Sequence, residues 1–150
     1  MGNRAIIIAE EPTNKKPVVG IYVHWNGGPE SVLGFLEACK SRGYADPSDD
    51  PAYALARLCG AIHEFFGITD SASLGLEVVT KEDWDNVKEL WLDNGIYLIG
   101  EGWTIKDWRT GSLNGRSFQF EDLDDSDKKK YKGICNRIIS GKLIYPEEDE

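Results

Sequence analysis

Val18-Val-Gly-Ile-Tyr-Val-His24 runs directly into Trp25-Asn-Gly-Gly28 and then Pro29-Glu30. Val19, Ile21 and Val23 alternate with Gly20, Tyr22 and His24, so the first part reads as a strand whose two faces differ in chemistry. Asn26-Gly27-Gly28 stops it, because paired glycines let the backbone turn sharply and approach whatever lies above them. Pro29 suits the first position of a helix, where its missing N–H has no partner to lose, and Glu30 favours the positive end of the helix dipole. A strand therefore passes into a helix across one short corner, with Tyr22, His24, Trp25 and Asn26 crowded around it. Loops at such junctions often carry function. This corner is the candidate binding site.

Working outward, Arg4-Ala-Ile-Ile-Ile-Ala9 is apolar and β-branched and reads as a buried strand, followed by a Pro- and Lys-bearing loop over Glu10–Pro17. Downstream, Val32, Phe35, Leu36 and Cys39 recur at helical spacing until Gly43. Asp50-Pro51 is an N-cap and first-turn pair for a second helix, whose stripe is Leu55, Leu58, Cys59, Ile62 and Phe66 and whose C-cap is Gly67. Leu74–Val79 is a third candidate strand. Thr80 with Asp83 resembles a capping box for a helix over Lys81–Trp91. Gly95–Ile99 reads as a strand, Gly100-Glu-Gly102 as a turn, and Trp103–Trp108 as the returning strand of a hairpin. Asp107–Ser117 has the composition of an exposed loop.

Glu121–Asp127 holds five acids and is followed by Lys128, Lys129, Lys130 and Lys132. Acids before bases suit both the dipole and the i,i+4 pairing of one helix. Tyr131, Ile134, Cys135, Ile138 and Ile139 give that helix an apolar face, and Gly141 stops it. Residues 147–150 read as a frayed acidic tail, which leaves residues 1–146 as a single domain. The order β-β-α-α-β-α-β-β-α brings strands in adjacent pairs. It predicts an α+β fold with a mostly antiparallel sheet of about five strands, two long helices packed on it and a C-terminal helix, the helices lying on one face of the sheet.

The chain has 150 residues and a formal charge of −9. General nucleic-acid binding is disfavoured, since phosphate contacts need clustered Lys and Arg. The three cysteines, Cys39, Cys59 and Cys135, are odd in number, lack a CxxC pair and fall on apolar helical stripes. They read as buried free thiols, which points to a reducing compartment, most simply cytoplasm. No run reaches transmembrane length and residues 1–20 lack a signal-peptide core. The two histidines are His24 and His63, and His63 reads as a partly buried structural residue. HExxH, GxSxG, GxxxxGK[ST] and GxGxxG are all absent, so the sequence argues for no cofactor, no metal and no catalytic residue.

At the corner, Gly27, Gly28 and the helix N-terminus are placed to offer N–H groups to an anion. Trp25 can stack on a flat ring while His24 and Asn26 read its edges, and Tyr22 beside them is a further candidate ligand contact. Arg4 and Arg57 are candidates for a bidentate grip on phosphate or carboxylate, as are Arg109 and Arg116. Arg57 stands out because it sits mid-helix among apolar residues. Trp103 is a second candidate stacking surface. The competing structural reading has Trp25 filling the core, Asn26 capping the helix and Arg57 extending to solvent.

Asn3-Arg-Ala-Ile-Ile7, Tyr22-Val-His-Trp-Asn-Gly-Gly28, Ala56-Arg-Leu-Cys59 before Phe65-Phe-Gly67, and Asp93-Asn-Gly-Ile-Tyr97 together resemble a family of small uncharacterised proteins of tailed phages, prophages and other mobile elements. The resemblance spans roughly residues 2–108. It implies a setting, an accessory protein inside an infected bacterium, and carries over no catalytic residue. In that setting the sequence favours a non-catalytic counter-defence binder that sequesters a small nucleotide-like molecule, such as an immune signal. Such small binders are often symmetric homo-oligomers. The alternatives are an acidic inhibitor that mimics nucleic acid and binds a host defence protein, and a small nucleotide-degrading enzyme.

Overall fold

A computed structural model describes residues 2–70, 74–112 and 115–141. The strands are β1 (Ala5–Ile8), β2 (Val18–Val23), β3 (Leu74–Val79), β4 (Ile96–Gly100) and β5 (Thr104–Arg109). The helices are α1 (Pro29–Ser41), α2 (Pro51–Asp70), α3 (Lys81–Asp85) and α4 (Asp125–Ile139). The strands form one sheet in the order β3-β2-β1-β4-β5. Short connections make β1–β2 and β4–β5 antiparallel hairpins, β3 adds antiparallel to β2, and the two hairpins join through a parallel β1–β4 pair. This is the α+β arrangement expected from the sequence, with a mixed sheet.

Because β1 lies in the middle of the sheet, both its faces are covered and its four residues are all buried. Such a strand reads as a continuous apolar run rather than an alternating one. Ala5 and Ile7 join Ile21, Val23, Tyr97 and Ile99 under α1, α2 and α4. Ile6 and Ile8 join Ile96 and Leu98 on the opposite face, where Trp84 and Val87 cover them. The expectation that the helices lie on one face is therefore corrected in part. The β3-to-β4 connection has to cross over β2 and β1 to reach its place, and it carries α3 and a 3-10 turn (Val87–Glu89) over the second face.

Helix ends follow local chemistry. Thr80 Oγ1 accepts from the Asp83 N–H at 3.1 Å, and Asp83 returns the bond to the Thr80 N–H at 3.0 Å. The helix they start is shorter than Lys81–Trp91, because Asn86 leaves helical geometry at φ −129°, ψ 50°. Asp50 caps α2 through the Tyr53 N–H at 3.1 Å. Gly67 adopts φ 78°, ψ 174° and ends the first helical run of α2 as expected, and a second short run follows it to Asp70. Gly43, at φ 73°, closes α1 with the paired bonds Gly43 N–H to Lys40 O and Tyr44 N–H to Cys39 O, a Schellman motif. Asp124 caps α4 through the Asp127 N–H at 2.8 Å.

Two further expectations change. Asp107–Ser117 is partly strand: β5 runs to Arg109, and Trp108 exchanges backbone bonds with Arg116 at 2.8 and 3.2 Å. His63 is exposed rather than partly buried, because α2 buries Ala54, Leu58, Ala61 and Ile62. That small rotation of the stripe leaves Leu55 and Cys59 only partly covered. All three cysteines are free, with Cys39 and Cys135 buried. Arg42 ties the helix layer together: it grips Glu64 bidentately at 2.8 and 2.9 Å and donates to the Ile138 carbonyl at 2.7 Å. Among the described residues no helix is long and apolar enough to cross a membrane. The acidic tail expected at 147–150 lies outside the described residues.

Candidate functional site

The corner has a buried rear and an open front. At the rear, Asn3 and Gly27 bring two chain segments into backbone contact. Asn3 N–H donates to His24 O at 2.8 Å and Gly27 N–H donates to Asn3 O at 2.8 Å. A Cβ on Gly27 would lie 2.3 Å from Asn3 O and 2.9 Å from the Ala5 Cβ, so no side chain fits there. Tyr97, fully buried, donates its hydroxyl to Gly27 O at 2.7 Å and stacks on Trp108 at 5.1 Å and 12°. Burial, with Glu30 nearby, pushes the Tyr97 phenol well above its ordinary range. Trp108 Nε1–H donates to Asn94 O at 2.7 Å, Asn94 N–H donates to Arg4 O at 2.9 Å, and the Asn94 amide donates to the Asn3 side-chain oxygen. Three of the four sequence blocks, at residues 3–7, 22–28 and 93–97, thus meet in one hydrogen-bonded knot.

This knot corrects the expected role of Gly27, whose N–H is already bonded and faces no ligand. Asn26 takes a left-handed backbone at φ 61°, which a carboxamide residue tolerates better than most. Its side chain does not cap α1, whose N-cap is Gly28 without a side-chain bond; instead Asn26 Nδ2 donates to Ser31 Oγ at 3.2 Å. The Glu30 carboxylate folds back over Gly28, since a Cβ there would meet Glu30 Oε1 at 2.8 Å. The positive end of α1 therefore already carries an acid of its own chain.

At the front, Trp25 is 43% exposed rather than buried in the core. His24 steadies it with a T-shaped contact at 4.8 Å, and the Tyr22 hydroxyl shares a 2.9 Å hydrogen bond with His24 Nδ1. Beside Trp25 opens a groove of about 480 Å³ whose walls include Asn26, Ser31, Phe65, Lys130 and Arg137. Arg137 lies 5.0 Å over the Phe65 ring, which holds its guanidinium at the rim. The groove combines a flat aromatic surface, a carboxamide edge, two cations and the Glu30 carboxylate.

The remaining sequence candidates lie elsewhere. Arg4 pairs with Asp93 at 3.1 Å; this hydrogen bond raises the arginine pKa and lowers that of the aspartate. Arg57 lies over the Tyr53 ring at 4.8 Å and the Tyr44 ring at 5.8 Å. Trp103 is buried and donates Nε1–H to Tyr44 O at 3.3 Å. Tyr44 follows the C-terminus of α1 and Trp25 precedes its N-terminus, so about 20 Å of helix separates the two groups. Arg57 and Trp103 therefore do not belong to the groove beside Trp25. Arg109 stacks on buried Trp84 at 4.0 Å and donates to its carbonyl at 3.1 Å, a packing role.

Lys130 and Arg137 were not singled out from the sequence. Their spacing of seven puts them on one side of α4, but nothing local says that this side faces the corner. Among the described residues no group of three or more His, Cys, Asp or Glu is placed to hold a metal ion. Compared with family models, curated proteins and solved structures, the chain matches none.

Proposed function

We propose that this chain is a non-catalytic binder that captures a small anionic molecule with a flat ring, nucleotide-like in chemistry, in the groove between the corner and α4. The observation that carries the reading is the exposed Trp25 indole on a groove that Arg137 and Lys130 also line. An indole face stacks on a planar base, and a guanidinium already oriented by an aromatic ring engages phosphate with little loss of side-chain freedom. Asn26 offers donors and an acceptor to a ring edge. Glu30 disfavours an anion directly on the helix N-terminus and places the negative end of the ligand toward α4. The resemblance to phage and mobile-element proteins supplies the setting: sequestration of a host nucleotide, such as an immune signal, in the bacterial cytoplasm.

The test is thermal unfolding of the purified chain against a panel of mono-, di- and cyclic nucleotides, with chromatography of the ligand afterwards. A ligand at a hundredfold its Kd stabilises by about 2.7 kcal/mol, or roughly 5–10 °C for a domain of this size. Trp25→Ala and Arg137→Ala should remove that shift, and Arg57→Ala should keep it. Recovery of the ligand unchanged is expected. Conversion to product would replace the binder reading with an enzymatic one, and no shift with any nucleotide would remove the ligand class.

A further inference from the structure

β3 is the outer strand of the sheet on the α2 side, and among the described residues no strand pairs with its free edge. The direction of its backbone groups follows from the ladder. Ile6 N–H donates to Gly95 O, so Ile6 faces β4 and its neighbours Ala5 and Ile7 face β2. Carried across β2, the alternation leaves the N–H and C=O groups of Leu74, Leu76 and Val78 pointing away from the sheet. Natural edges are usually blunted by proline, lysine or a bulge. β3 contains no proline and no lysine, and its register with β2 is unbroken.

The side chains beside this edge are apolar and uncovered. Leu76 is 67% exposed, Val78 61% and Val19 50%, all on the helix-bearing face. Leu76 and Val19 border a groove of about 580 Å³ beside α2, which Leu55, Cys59 and the exposed Ala52 and Ala56 also line. Small residues on that helix let another backbone approach closely. A free hydrogen-bonding edge selects a strand as the occupant, because a helix or a compact ligand leaves those backbone groups unpaired.

We infer that the occupant is β3 of a second copy of this chain, paired antiparallel across a two-fold axis at Leu76, so that two five-stranded sheets become one continuous sheet. The strand is self-complementary in that register. Leu76 meets Leu76 of the second copy and Leu74 meets Val78, so the apolar rows run on across the axis and every outward backbone group faces a partner. Glu77, the only charge in β3, meets Gly75, where the added Cβ has nothing nearer than the Tyr22 ring at 3.8 Å. A shift of one pair along the edge places Glu77 against Glu77 and is disfavoured by repulsion. An edge of six residues is about 20 Å long. With a side-chain layer about 10 Å deep, it buries on the order of 300–400 Å² per copy, below the ~800 Å² of a standard interface. The pairing is therefore reversible and concentration-dependent. It does not depend on the nucleotide reading.

Sedimentation velocity of the full chain over a wide concentration series tests this. The expected result is a monomer–dimer equilibrium that Leu76→Lys abolishes, with the circular dichroism and melting temperature of the monomer unchanged. Should Leu76→Lys fail to fold, Val78→Lys gives the same readout. Register is read by oxidising variants that each carry one introduced cysteine in a Cys59→Ser background, where the native Cys39 and Cys135 stay buried: Leu76→Cys should give a disulfide-linked dimer and Glu77→Cys should not. A chain that stays monomeric at every concentration overturns the proposal. So does a dimer indifferent to lysine at both positions, or cross-linking through position 77 in place of 76.

Discussion

Gly27 and Trp25 are two residues apart and live in different worlds. Gly27 is wedged against Asn3 and roofed by the Tyr97 hydroxyl, whereas Trp25 stands half in solvent beside an open groove. The contrast teaches that a distinctive sequence block is not functional throughout. Most of Tyr22–Gly28, with residues 3–7 and 93–97, is needed to knot three strand ends together. The part free to meet a ligand is narrow, Trp25 and Asn26, and the knot behind fixes their direction.

Substitutions can break this division. Gly27→Ala forces a methyl group into the Asn3 carbonyl at 2.3 Å and should cost about 3 kcal/mol or more, read by urea unfolding; a loss under 1 kcal/mol would mean the corner yields easily. A pH series probes the buried interior more generally. Burial pushes the Cys39 thiol up to about 12, against opposition from Arg42. The folded state holds the neutral thiol, so this contribution is intact below about pH 8.5. It falls by about 1.4 kcal/mol per pH unit as pH rises toward the folded value. Cys39→Ala should flatten the alkaline limb of the stability curve.

Tyr97→Phe removes the bond to Gly27 O and leaves a buried carbonyl unpaired, for an expected loss of about 1–2 kcal/mol without change in ligand affinity. Trp25→Ala is the smallest effect on stability, within about 0.5 kcal/mol as for exposed positions generally, and the largest on ligand-induced stabilisation. A large destabilisation by Trp25→Ala would put the indole on the structural side of the comparison.

Much of the fold was readable residue by residue. The Gly-Gly-Pro corner, the Asp50 cap, the Thr80–Asp83 reciprocal bonds and the Gly43 terminus depend on atoms within a few positions of each other. Strand identity followed from the β-branched run at Ile6–Ile8 and the apolar run at Ile96–Ile99. Less was readable of how those pieces sit together. Trp84, Trp103 and Trp25 look alike in sequence, yet the first is fully buried, the second nearly so, and the third exposed. Arg57 and Trp25 are both candidates for one site in sequence, yet the length of α1 separates them.

The sequence by itself determined where most strands and helices start and stop, because capping, glycine geometry and hydrophobic period act over one or two turns of chain; the end of α3 and the extent of β5 were exceptions. Only the tertiary structure decided that β1 and β4 lie side by side, that Tyr97 closes over Gly27 from seventy residues away, and that α4 brings Lys130 and Arg137 to the corner. Those choices are made by burying apolar faces shared among distant segments, and no single segment carries the instruction.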